Sequence, residues 1–192
     1  MAEGAREDTV SSAIYAVAGA ALIIGLLLAF AWLPRLLHAH ESEEVGKAAP
    51  AVKMPVVFNG ETLAQPPSTT ATSIGIDELK GHAVILDFWA TWCGPCKAEA
   101  PIVDRVAARF KSNGLVVIGV NTDDDDRAGA EWAKAHHLSY PIAYDVDKGA
   151  SRAYGVEALP TLIVISKSGK VIARRTGVTD GEELERLVNQ AL

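Results

Sequence analysis

The chain has 192 residues, 49% of them hydrophobic, and a formal net charge of −6. Its 24 acidic residues outnumber the 18 basic ones and no basic stripe is present, which argues against a nucleic-acid partner. About 140 residues remain after the N-terminal region, a length that suits one domain with a single core.

The hydrophobic content is inflated by one N-terminal segment. Residues 13–33 contain no charge and no proline, and a helix of this length spans about 31 Å, enough to cross a bilayer core. We therefore predict a tail over residues 1–12 and a transmembrane anchor over residues 13–33. A cleaved signal peptide is the alternative, since Ala29-Phe30-Ala31 has the small-x-small form of a cleavage site. The acidic leading segment is a poor signal-peptide start, so we favour the anchor.

The following residues predict a linker and then an α/β domain. Residues 34–51 lack sustained periodicity and are predicted to be a linker, and the domain is predicted over residues 52–192. Patterning predicts strands over residues 52–58, 83–89, 115–120, 142–145, 161–165 and 171–175, and helices over 97–111, 149–154, 182–192 and from the aspartates at 123–126 to about residue 137. Strand–helix alternation followed by two adjacent strands indicates a βαβ unit plus a β-hairpin. The expected fold is a central mixed sheet flanked by helices.

Four consecutive aspartates, Asp123 to Asp126, follow the predicted strand at residues 115–120. Consecutive acids on a loop cannot all turn toward one ion, so a calcium site is disfavoured. We predict that they cap the next helix and are solvated.

The two cysteines of the chain lie in Trp92-Cys93-Gly94-Pro95-Cys96-Lys97, spaced as Cys-x-x-Cys. Cys93 is expected where a strand leads into a helix N-terminus, whose N–H groups and dipole favour a thiolate. We therefore predict a redox-active Cys93–Cys96 disulfide, with Cys93 as the nucleophile and Cys96 as the resolving thiol. A structural disulfide is an alternative. A zinc site would need two more ligands that the histidines do not supply, so no metal and no cofactor are predicted.

The stretch KGHAVILDFWATWCGPCKAEAP, residues 80–101, resembles the thioredoxin superfamily, and most closely its membrane-tethered TlpA/ResA-type thiol–disulfide oxidoreductases. Supporting positions follow in the expected order: Gly155-Val156, then Leu159-Pro160-Thr161, then Ser168-Gly169-Lys170. The resemblance covers about residues 48–192. It implies a thioredoxin fold and a domain outside the cytoplasm.

Two acids are predicted to serve the cysteines. Asp87 interrupts an otherwise apolar strand, and a buried carboxyl there would supply the base that Cys96 needs. By resemblance, Asp87 matches the buried acid of thioredoxins, although a partly exposed position at a strand edge is the alternative. Glu99 matches the acid that tunes the cysteines in TlpA/ResA-type sites, and a solvated helix charge is the alternative.

Three residues are predicted to contact the substrate. By resemblance, Pro160 after Leu159 corresponds to the cis-proline beside the disulfide, and the neighbouring backbone would pair with an extended substrate strand. Trp92 beside Cys93 is expected to offer apolar contact surface, whereas Trp89 is expected in the core.

The resemblance implies a single-pass protein of the cell membrane whose extracytoplasmic domain reduces disulfides in exported proteins. Apocytochrome c or a copper-site assembly protein would be the substrate, and a membrane thiol reductase would be the electron donor. A disulfide-forming oxidase is the alternative, but Gly94-Pro95 and Asp87 resemble reducing thioredoxins. A copper-site assembly factor would favour Cys-x-x-x-Cys and a distal histidine, and a tethered structural module is the last alternative.

Overall fold

The computed structural model describes residues 18–30, 45–63, 72–123 and 125–192. The chain divides into two units, residues 1–43 and residues 44–192. In the first unit the described residues, 18–30, form helix α1 with exposed side chains.

The predicted anchor, residues 13–33, extends beyond α1 at both ends. Residues 13–17 and 31–33, the tail at 1–12 and the first part of the linker, 34–44, lie outside the described residues. None of the helices that the structure describes combines the length and the apolar character needed to cross a membrane.

The second unit contains a seven-stranded mixed sheet with the order β2-β1-β5-β4-β3-β6-β7. Its strands are β1 (Lys53–Phe58), β2 (Ser73–Gly75), β3 (Ala83–Trp89), β4 (Leu115–Asn121), β5 (Ile142–Tyr144), β6 (Thr161–Ile165) and β7 (Val171–Thr176). Strands β3, β4 and β5 are parallel, and β6 and β7 form the predicted antiparallel hairpin beside β3. Strand β3 therefore lies inside the sheet, paired on both sides.

Helices cover both faces of the sheet. They are α2 (Gly94–Phe110), α3 (Asp126–Ala135), α4 (Gly149–Ala153) and α5 (Gly181–Ala191), with short 3-10 turns at Gly60–Leu63, Ile76–Leu79, Lys111–Asn113 and Val146–Lys148. The crossovers β3-α2-β4 and β4-α3-β5 advance in the same direction along the sheet, so right-handed connections place α2 and α3 on one face. The connection through α4 returns to the other side of β3 and crosses the opposite face.

The alternation of side chains along β3 divides the core into two layers. Ile85 and Trp89 join the layer under α2 and α5, whereas Leu86 and Phe88 join the layer under α4. Asp87 has the same parity as Ile85 and Trp89, so its side chain lies on the face that α2 covers.

The predicted mixed sheet with flanking helices is confirmed, and each element predicted from residue 83 onward is present. Helix α2 begins at Gly94 rather than Lys97, because Cys93 rather than a later residue is its N-cap. Strand β2 was not predicted, because its three residues are too few to show an alternating pattern.

The predicted linker reaches too far along the chain. The N–H of Gly46 donates to the carbonyl of Val171 at 2.8 Å, and the N–H of Val171 donates to the carbonyl of Lys47 at 3.0 Å. Ala48 forms a β-bridge with Lys170. These residues therefore belong to the domain, which begins before residue 52. The correction has a simple cause: pairing with a distant strand leaves no local periodicity in so short a segment.

Candidate active site

The two cysteines lie at the junction of β3 and α2. Cys93 is the N-cap residue of α2, and Cys96 lies in its first turn with Pro95 between them. The sulfurs form a disulfide with an S–S distance of 1.97 Å and a Cα–Cα distance of 5.3 Å. Cys93 and Cys96 are 5% and 3% exposed, so both are buried in this oxidised state.

A backbone N–H group in the first turn of α2 points at the Cys93 sulfur. The N–H of Cys96 donates to the Sγ of Cys93 at 3.2 Å. The first N–H groups of a helix have no partners within it and lie at the positive end of its dipole. After reduction, a thiolate at Cys93 would therefore be stabilised in the place where the sulfur already lies.

The rim beside the disulfide carries the predicted substrate-contact residues. Trp92 is 72% exposed, whereas Trp89 is buried and packs on Trp132 with ring centroids 5.0 Å apart. The Leu159–Pro160 peptide bond is cis, as expected from the resemblance. Trp92 and Leu159 line a groove of about 270 Å³, together with Thr122, Lys148, Ser151, Arg152, Val156, Glu157 and Ala158.

Asp87 is buried inside the sheet, so the alternative of an exposed strand edge is wrong. Burial raises the pKa of Asp87 well above its usual range, the charge of Glu99 raises it further, and a hydrogen bond from Tyr140 opposes both effects. The Tyr140 hydroxyl donates this bond to Asp87 Oδ2 at 3.4 Å. Burial, followed by the charge of Asp87, also raises the pKa of Tyr140, which therefore keeps the proton it donates.

Glu99 is likewise buried, so the alternative of a solvated helix charge is wrong. Its Oε1 accepts a hydrogen bond from the N–H of Thr179 at 2.7 Å. Its Oε2 has no hydrogen-bond partner among the described residues. Burial raises the pKa of Glu99, and the bond from Thr179 opposes the shift.

The four aspartates do not behave alike, which corrects the prediction that they cap the helix and are solvated. Asp125 is the N-cap of α3 and accepts the N–H of Arg127 at 2.9 Å. Asp123, in contrast, is buried and accepts three donor groups, the N–H and hydroxyl of Thr91 and the side-chain amide of Asn121. Asp124 lies outside the described residues. Asp123 lies two residues after the end of β4 and is buried, whereas Asp125 lies further along and caps α3.

The structure thus brings Cys93, Cys96, Asp87 and Glu99 to one end of the sheet face that α2 covers, with the cis-proline at the rim. Sequence reasoning missed Tyr140, Thr179 and Asp123. Only Asp123 carried a local signal, because it is the first acid after the apolar strand β4, where parallel strands present their functional side chains.

A Cys-x-x-Cys disulfide at a helix N-terminus, a neighbouring cis-proline and a mixed sheet of this order define a thiol–disulfide oxidoreductase with a thioredoxin fold. The chain belongs to the Redoxin family, which it matches over residues 44–191, and it is of the TlpA/ResA type.

Relatives and solved structures agree with this assignment. The thiol-disulfide oxidoreductase ResA of Bacillus cereus is 31% identical over 169 residues, which cover 88% of this chain and 91% of the relative. The ResA of Bacillus thuringiensis is 33% identical over 150 residues, 78% of this chain and 80% of the relative. A crystal structure from Chlorobium tepidum, ascribed to a thiol:disulfide interchange protein DsbE, superposes with a TM-score of 0.66 at 30% identity, covering 77% of this chain and 96% of that one.

Proposed function

We propose that this protein reduces disulfide bonds in exported proteins from the outer face of the cell membrane, to which residues 13–33 anchor it. The observation that carries the proposal is that the helix-capping Cys93 and the buried carboxyl of Asp87 lie on the same face of the sheet. In this proposal the Cys93 sulfur attacks the substrate disulfide, and the Asp87 carboxyl accepts the proton of the second thiol.

The reaction begins from the reduced dithiol. The Cys93 thiolate attacks one sulfur of a substrate disulfide, forms a mixed disulfide with it and releases the other substrate sulfur as a thiolate. Cys96 then loses its proton and attacks the Cys93 sulfur, which reforms the Cys93–Cys96 disulfide and releases the second substrate thiolate. Two electrons pass from the dithiol to the substrate.

Asp87 is the proposed acceptor of the Cys96 proton. A general base works best when its pKa lies near the working pH, and an ordinary aspartate is too acidic for that. Burial and the Glu99 charge raise the pKa of Asp87 toward the useful range. Glu99 is proposed to tune this pair rather than to exchange the proton itself.

A catalytic cycle requires a source of electrons. After each turnover the protein holds the disulfide seen in the structure, so an external dithiol must reduce it. We propose a membrane thiol reductase as this donor, and apocytochrome c or a copper-site assembly protein as substrate. Relatives named ResA and DsbE, both thiol–disulfide oxidoreductases or interchange proteins, support the chemistry.

The proposed division of labour is tested with cysteine variants of the full chain. We expect Cys93→Ser to abolish exchange with a disulfide-bonded apocytochrome peptide, and Cys96→Ser to accumulate a mixed disulfide through Cys93. Faster alkylation of Cys96 than of Cys93 in the reduced protein would invert the assignment.

The direction of disulfide exchange is tested by mixing reduced protein with oxidised peptide, and oxidised protein with reduced peptide. A reductase leaves the peptide mainly as dithiol in both mixtures, whereas an oxidase leaves it mainly as disulfide.

The proposed anchor is tested by fractionation and N-terminal sequencing. An anchored protein fractionates with membranes and keeps its first residues. A soluble product that begins near Trp32 would replace the anchor with a cleaved signal peptide.

A further inference from the structure

The loop that carries Cys93 is fastened to the end of strand β4. The carbonyl of Trp89 accepts the N–H of Thr122 at 2.9 Å and its hydroxyl at 3.2 Å. Two residues further on, Thr91 donates its N–H to the Asp123 carboxylate at 2.9 Å and its hydroxyl at 3.1 Å. The loop is thus tied twice, once at the end of β3 and once just before Trp92.

The Asp123 carboxylate is itself held in place. The side-chain amide of Asn121 donates to Asp123 Oδ2 at 2.7 Å. Asn121 in turn packs against α3 at Gly129, where a Cβ atom would lie 2.4 Å from the Asn121 side chain. The carbonyl of Asn121 also accepts the N–H of Asp145 at 2.9 Å. Asp123 therefore holds Thr91 in a fixed position relative to β4 and α3.

The tie at Thr91 reaches the reacting sulfur through a short turn. The N–H of Cys93 donates to the carbonyl of Ala90 at 3.1 Å, so Thr91 and Trp92 lie inside a closed turn. Trp92 is largely exposed and adds little packing to hold that turn. The hydrogen bonds to Asp123 are thus a main constraint on where the Cys93 sulfur lies relative to the N–H of Cys96, now 3.2 Å away.

We infer that Asp123 is a positioning residue for disulfide exchange: acting through Thr91, it holds the Cys93 sulfur against the first N–H groups of α2 and so increases the thiolate fraction of the reduced protein. The inference rests on the proposed role of Cys93 as the nucleophile. The negative charge of Asp123 acts in the opposite sense, because a nearby anion disfavours a thiolate. In Asp123→Ala, loss of the hydrogen bonds is therefore expected to lower the thiolate fraction of Cys93, whereas loss of the charge alone would raise it.

The experiment measures alkylation of Cys93 by iodoacetamide in the reduced full chain, at about pH 7 and about pH 10, with mass spectrometry to locate the label. Asp123→Ala removes the acceptor for both Thr91 donors. We expect labelling roughly three- to tenfold slower at the lower pH and nearly unchanged at the higher pH, where the thiol ionises in every variant. Loss of packing alone would not produce this pH-dependent difference.

Conservative variants separate the two effects. Asp123→Asn keeps an oxygen for Thr91, and the Asn121 amide can turn to accept its new N–H group, so we expect labelling no slower than in the wild type. Thr91→Val removes only the hydroxyl bond and should slow labelling by about twofold, with Thr91→Ser as the matched control. All variants retain the other titratable groups near the dithiol. These are Asp87 on β3 with its partner Tyr140, Lys97 and Glu99 on α2, and Lys148, Arg152 and Glu157 along the groove that Trp92 lines.

Three results would overturn the inference and leave the nucleophile assignment intact. The first is a folded Asp123→Ala protein that labels like the wild type at the lower pH. The second is an equal acceleration in Asp123→Ala and Asp123→Asn, which would assign the effect to charge. The third applies if Asp123→Ala does not fold, and it is an equal rate of Cys93 alkylation in Thr91→Val and Thr91→Ser. If iodoacetamide labels Cys96 rather than Cys93 in the wild-type protein, both the nucleophile assignment and the inference are overturned. If the label is on Cys93 and the variants react at the wild-type rate, only the inference is overturned.

Discussion

Four carboxyl groups are buried among the described residues, and they fall into two contrasting pairs. Asp123 and Asp145, at the ends of β4 and β5, are surrounded by donors. Asp145 accepts the N–H of Ala150 at 2.7 Å, the N–H of Ser151 at 2.9 Å and the hydroxyl of Ser151. Asp87 and Glu99, behind the cysteines, are poorly supplied: Asp87 has one bond of 3.4 Å from Tyr140, and one oxygen of Glu99 has no partner in the described part of the chain.

The contrast separates two uses of a buried acid. Donors directed at a carboxylate fix its position. Where donors are few, burial favours the protonated form and raises the pKa of the carboxyl group. Asp123 and Asp145 thus build the rim of the site, and Asp87 and Glu99 are suited to the chemistry behind it.

The largest effect is expected at Asp145. Asp145→Ala leaves the N–H groups of Ala150 and Ser151 and the Ser151 hydroxyl without their acceptor, in a buried position. We expect the free energy of unfolding to fall by about 3 kcal/mol or more, measured by urea denaturation. Asp145→Asn, which retains one acceptor oxygen, should lose less. A loss below about 1 kcal/mol for the alanine variant would remove the distinction between the two pairs.

The next effect concerns the rate of exchange. Asp87→Asn preserves volume but cannot accept the Cys96 proton, so we expect slower exchange near neutral pH, toward or below the lower end of the roughly 10²- to 10⁴-fold attributed to acid–base assistance. The deficit should shrink as pH rises and hydroxide replaces the base. The measurement is a pH–rate profile, with the exposed Glu131→Gln as a control for loss of one charge. Identical profiles for Asp87→Asn and wild type would exclude Asp87 as the proton acceptor.

A smaller effect is expected in the pH dependence of stability. Because the pKa of Asp87 is raised in the folded state, the native protein holds a proton that the unfolded chain releases near pH 4. The contribution of Asp87 to stability is therefore full below about pH 4 and falls as pH rises toward the raised value, by about 1.4 kcal/mol for each pH unit in that window. Denaturation of Asp87→Asn at several pH values should show a shallower fall. An unchanged slope would mean that Asp87 is not the titrating group.

The smallest effect is expected at Tyr140. Tyr140→Phe removes the long hydrogen bond that opposes the raised pKa of Asp87, so that pKa should rise further. The alkaline shift of the exchange profile should correspond to less than about a threefold change in rate at neutral pH. A shift toward acid pH would contradict the assigned direction of this bond.

Sequence reasoning located the disulfide and the buried acid Asp87 better than the residues that surround them. The interruption of an apolar strand was enough to find Asp87, and the Cys-x-x-Cys spacing was enough to find the disulfide. Thr179 lies 80 residues from Glu99, so no local pattern could pair them. Asp123 and Asp125 stand in the same acidic run, and only the end of β4 determines which one turns inward.

The pairing of residues 46–48 with β7 has a consequence for handling the domain. These residues satisfy the N–H and the carbonyl of Val171, on the outermost strand of the sheet. A shortened protein beginning at Val52 would leave these groups open, and an open strand edge is a template for another chain. Residues 46–48 thus cover this strand edge and disfavour self-association, and a shortened form for crystallisation or binding work should retain them.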